Sequence, residues 1–65
     1  MKIYCLTDLG KKVARRGVGG DPDEVRIINY LKEYKTGSDI DLEKVGELWV
    51  VKRLESTGLV KELTS

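Results

Sequence analysis

Hydrophobic and polar positions divide the chain into short alternating stretches and longer helical ones. Residues 3–7, Ile-Tyr-Cys-Leu-Thr, are β-branched and aromatic and end on a capping residue, the profile of a short strand with Ile3 and Cys5 on one face. Thr7 is placed to cap a helix over residues 8–16, with Asp8 at its positive end and Lys12, Arg15 and Arg16 at its negative end. Gly17 then falls where a helix terminator belongs. Helical spacing puts Leu9, Val13 and Ala14 on one side of this segment and Lys11, Lys12, Arg15 and Arg16 on the other.

Gly17-Val18-Gly19-Gly20 lacks the Lys-Ser/Thr of a phosphate-binding loop and reads as a linker. Asp21, Pro22 and Glu24 supply an N-cap, a first-turn proline and the acidic third position of a capping box. A helix over residues 22–34 follows, with Val25, Ile28 and Leu31 as its stripe and Ile27, Tyr30 and Tyr34 on the flanks. Lys35-Thr36-Gly37-Ser38 has turn chemistry. Asp39 or Asp41 then restarts a helical pattern through Leu42, Val45, Leu48, Val51 and Leu54, which Thr57-Gly58-Leu59 closes as a Schellman ending. Gly46 interrupts that pattern at a cost of about 1 kcal/mol in a continuous helix. Two arrangements are open, one helix over 41–57 or two helices meeting near Gly46 at an angle, and the second is preferred.

Residues 59–63, Leu-Val-Lys-Glu-Leu, alternate as a closing strand, whose backbone groups need a partner. Residues 2–6 are the obvious candidate, in antiparallel pairing, the alternative being a strand from a second copy. The expected fold is a single domain over residues 1–65, mainly α with a small antiparallel sheet (α+β), with three or four helices and its N- and C-terminal strands paired.

Size adds a constraint, because a core built from 65 residues supplies only about 3–5 kcal/mol and usually needs a disulfide, a metal or a partner chain. One cysteine and no histidine remove the first two, so no metal or other cofactor is expected and self-association, as a homodimer, becomes the remaining route. No apolar run reaches membrane-span length and the start lacks the core of a signal peptide, which predicts a cytoplasmic chain with no membrane partner. No acid–base pair or activated nucleophile is discernible, so the chain is not expected to be an enzyme. Cys5 reads as a small buried strand residue without a base to activate it.

Net charge is +1, yet residues 1–16 carry five basic residues against Asp8 alone, leaving −3 to the other 49. Lys11, Lys12, Arg15 and Arg16 therefore form a stripe dense enough for phosphate contacts, or simply a solvated face. Leu48-Trp49-Val50-Val51 is apolar all round a helical turn, more than one core face requires, which makes Trp49 and Val50 candidate contacts with a second copy or a larger protein partner.

A helix, a turn, a short helix and a longer helix ending in Arg53-Leu54-Glu55-Ser56-Thr57-Gly58-Leu59-Val60 resembles the winged helix-turn-helix superfamily over residues 22–63. The opening Tyr4-Cys5-Leu6-Thr7-Asp8-Leu9-Gly10-Lys11-Lys12-Val13-Ala14 looks like the strand leaving the wing and the helix after it, here placed first. Together with Gly20-Asp21-Pro22-Asp23-Glu24-Val25-Arg26, it is also similar to winged-helix modules at the N-terminus of archaeal and eukaryotic phenylalanyl-tRNA synthetase alpha subunits. The segment between Leu31 and Gly58 is several residues shorter than the superfamily's usual span.

The resemblance implies a rearranged winged helix, its wing hairpin cut open, that binds double-stranded DNA as a transcriptional regulator or accessory factor. It also implies that Glu47, Lys52, Arg53 and Ser56 face outward on the last helix, with Arg53 suited to a guanine edge and Lys52 to a phosphate. Lys61 would then add a wing contact, and a dimer would read two half-sites. The alternatives are a protein-interaction module docking through Trp49, and an RNA-binding module suggested by the synthetase-like opening.

Overall fold

A computed structural model describes residues 1–17 and 20–63, so the glycine linker's Val18 and Gly19 lie outside the described residues. In chain order the elements are β1 (Ile3–Leu6), α1 (Asp8–Arg16), α2 (Pro22–Tyr34), β2 (Thr36–Ser38), α3 (Asp39–Val45), α4 (Leu48–Ser56) and β3 (Val60–Glu62). The strands form one antiparallel sheet in the order β2-β1-β3. This is an α+β fold with the N- and C-terminal strands paired, in the register Tyr4 to Glu62, Cys5 to Lys61 and Leu6 to Val60.

Local chemistry accounts for most boundaries. Thr7 caps α1 by accepting from the Gly10 N–H at 3.0 Å, while its own hydroxyl donates to the Gly58 carbonyl at 2.6 Å. One threonine thereby starts α1 and fastens it to the turn that ends α4. Asp21 caps α2 through the Asp23 N–H, and Ser38 caps α3 through the Asp41 N–H. Gly58, at φ 82°, closes α4 as a Schellman turn: its N–H donates to Glu55 and the Leu59 N–H donates to Leu54. The chain does break at Gly46, giving two helices in place of one.

The core joins Tyr4, Leu6 and Val60 of the sheet to Ile27, Ile28 and Leu31 of α2, Leu42 of α3, and Val50, Val51 and Leu54 of α4. Tyr4 is wholly enclosed, and burial pushes the pKa of its hydroxyl above the ordinary tyrosine value.

Several expectations are corrected. Thr36–Ser38 is an edge strand of the sheet, not a turn, held by β1 and continued by the Asp39 N–H bond to the Lys2 carbonyl. Strand alternation turns Tyr4 and Leu6 inward, which leaves Cys5 half-buried on the other face. On α1 the inward residues are Gly10 and Ala14, while Leu9 is 52% exposed. Gly10 is required there, since a side-chain carbon at that position would overlap the Leu59 carbonyl. The helix therefore lies directly against the entry to β3.

Candidate nucleic-acid interface

The predicted basic residues separate into two regions. Lys11, Lys12, Arg15 and Arg16 are all exposed on α1, as the helical spacing predicts. Lys11 and Arg15, one turn apart, line a recess of about 420 Å³. Lys61 lines it as well, from β3. The cross-strand register explains how, because Lys61 stands opposite Cys5 and so shares its outward face, whereas Glu62 alternates to the other face and approaches Lys2 at 4.0 Å. The acid next to Lys61 in sequence is thus aimed away from it.

Two further cations of this recess, Lys32 and Lys35, escaped sequence reasoning. They are three residues apart, Lys32 in the last turn of α2 and Lys35 at its C-cap, where cations also suit the helix dipole. That spacing is visible in the sequence, but nothing in it says that the end of α2 lies beside α1. Among the described residues, Asp8 is the one carboxylate lining the recess, against five cations. The floor is apolar: Leu6, Ala14 and Leu31 are buried core residues, and Cys5 and Leu63 complete it.

On α4, Lys52, Arg53 and Ser56 are exposed as expected. Their surroundings are more acidic. Arg53 Nε approaches Glu24 Oε1 of α2 at 3.5 Å, so the acid expected to complete a capping box faces the candidate base-reading arginine. Glu47 precedes the helix and accepts a hydrogen bond from the Trp49 indole N–H. Arg53 thus sits beside a carboxylate that lowers the local potential.

Trp49 is 53% exposed beside a partly exposed Leu48, an apolar surface feature of the kind predicted. Val50, the other predicted contact, is wholly buried and belongs to the core. The physical reason is that Val50, Val51 and Leu54 fall at i, i+1 and i+4 on α4, a spacing that one core-facing stripe accommodates. Tyr30 packs against the core and stacks on exposed Tyr34, with ring centroids 4.6 Å apart.

Among the described residues, no group of three or more His, Cys, Asp or Glu is arranged to hold a metal ion. Nor is any helix among them long and apolar enough to cross a membrane. No protein family, no curated protein and no solved structure matches this chain.

Proposed function

We propose that this chain is a small winged-helix-like protein that binds double-stranded DNA, as a transcriptional regulator or accessory factor. The observation that carries the reading is the gathering of basic side chains from α1, the end of α2 and β3 on one side of the molecule, with Asp8 as the one acid among the described residues there. Lys11, Lys12, Arg15, Arg16 and Lys61 hold phosphates in this reading, which requires charge density more than exact geometry. The order of elements supports it. From α2 onward the chain runs helix, edge strand, helix, helix, strand, and β1 fills the central place between β2 and β3. That is the order expected of a winged helix whose wing hairpin is opened between β3 and β1. α4 is then the groove helix, presenting Lys52, Arg53 and Ser56. A homodimer would set two such helices on two half-sites.

A second reading, a docking module for a larger protein, is favoured by one observation, the exposure of Trp49 next to Leu48. The test that separates the two is a titration of the protein into a fluorescent random-sequence DNA duplex at several salt concentrations, read by anisotropy. DNA binding predicts an affinity that falls several-fold for each doubling of salt. Absence of binding at low salt and high protein concentration would overturn it. A single-stranded DNA and an RNA duplex of the same length, run in parallel, show whether double-stranded DNA is the preferred form.

A further inference from the structure

Duplex binding leaves one feature of the basic side unexplained. Phosphates need cations, but they do not need a concave recess of about 420 Å³ floored by Leu6, Ala14, Leu31 and Cys5. That volume lies within the range of small-molecule sites, which are typically apolar hollows of about 300–1,000 Å³ with a few polar groups at fixed places. A bare inorganic anion would satisfy the rim and leave the floor wet, while a neutral apolar molecule would fill the floor and leave the cations unused. Only a ligand with both parts uses both.

We propose that the recess binds one small organic anion, its apolar body seated on the floor and its carboxylate or phosphate met by Lys32, Lys35 and Lys61 at the rim. The backbone at Lys35 is consistent with a held position. Its φ of 72° is unfavourable for a residue with a side chain, and it is fixed by the N–H bond to the Leu31 carbonyl at 3.0 Å and by the strand that begins at Thr36. A lysine stands here where the backbone favours glycine. The recess shares Lys61 with the set assigned to the duplex, whereas Lys32 and Lys35 lie outside that set, so variants at these two lysines test the recess apart from DNA binding.

The probe is 8-anilinonaphthalene-1-sulfonate, an aromatic sulfonate whose emission rises in apolar surroundings, titrated with the intact protein in the absence of nucleic acid. Saturable one-to-one binding is expected, displaced by decanoate at concentrations at least about tenfold lower than by decanol or acetate. Lys32→Ala combined with Lys35→Ala is expected to weaken the probe by about tenfold. Lys35→Gly separates binding from folding, since it removes a rim cation and relieves the positive φ. It is expected to bind more weakly while melting at an equal or higher temperature. Occupancy is also expected to slow alkylation of Cys5, the sole thiol, by a maleimide. No saturable binding, equal displacement by decanol and decanoate, or unchanged affinity in both variants would overturn the proposal. So would unimpeded Cys5 alkylation at saturating probe, which would place the probe elsewhere on the surface.

Discussion

The basic side built on α1 and the basic face of α4 contain similar residue types but differ in what surrounds them. Around the recess, Lys11, Arg15, Lys32, Lys35 and Lys61 share their surroundings with Asp8 as the one acid among the described residues. On α4, Arg53 is drawn toward Glu24, and Glu47 and Glu55 flank the exposed stretch. The first arrangement concentrates potential and suits anions of any sequence; the second dilutes it and leaves directional hydrogen bonding as its main resource. In the proposed DNA-binding reading, affinity and selectivity would fall to different parts of one small domain, with phosphate capture on the α1 side and base contact on α4.

This contrast can be broken most forcefully through Gly10. Replacement by alanine drives a methyl group into the Leu59 carbonyl and forces α1 away from β3, so Gly10→Ala is expected to cost about 3 kcal/mol in urea unfolding followed by circular dichroism. In any population that remains folded, duplex affinity falls as well, because the α1 cations lose their position beside Lys61.

Removing charge without moving the helix gives a sharper result. Lys11→Ala with Arg15→Ala is expected to lower duplex affinity by about tenfold at moderate salt, at nearly unchanged melting temperature. Arg53→Ala is expected to lower affinity only about threefold and to act mainly on sequence preference. Its cost in stability stays below about 1 kcal/mol, since the pair with Glu24 is largely solvent-exposed on the arginine side. Trp49→Ala, which loses a surface indole and its bond to Glu47, is expected to change folding stability by about 0.5 kcal/mol or less. If Trp49 is the docking residue of a larger protein, that variant leaves duplex binding intact and abolishes capture of the partner.

The legible parts of the fold were those decided by neighbours in sequence. Thr7, Asp21-Pro22 and Thr57-Gly58-Leu59 begin or end helices through bonds to residues a few positions away, and each does so in the structure. The pairing of the terminal strands was legible for a different reason, because a strand after Gly58 needs a partner and residues 2–6 read as the other strand able to supply one.

What escaped depends on tertiary placement. Thr-Gly-Ser has little strand preference, and β2 exists because β1 provides an edge to pair with. Val50 was misassigned because Leu48-Trp49-Val50-Val51 reads as more apolar surface than one core face requires, whereas Val50, Val51 and Leu54 all turn inward together. Cys5 was misassigned because the strand's alternation does not say which of its two apolar faces meets the core, and Leu9 stays exposed because small Gly10 and Ala14 give α1 its close approach. The basic stripe of α1 was visible along the chain; its extension through Lys32 and Lys35 arises only when α1 packs against α2.

The most direct test compares how duplex affinity depends on salt in three proteins: the unaltered chain, the Lys11→Ala/Arg15→Ala variant and the Lys52→Ala/Arg53→Ala variant. If the α1 side captures phosphates, the slope of log affinity against log salt becomes shallower by about 2 in the first variant and by no more than about 1 in the second. An unchanged slope in the Lys11→Ala/Arg15→Ala variant, or an unaltered chain whose affinity does not respond to salt, would contradict that assignment.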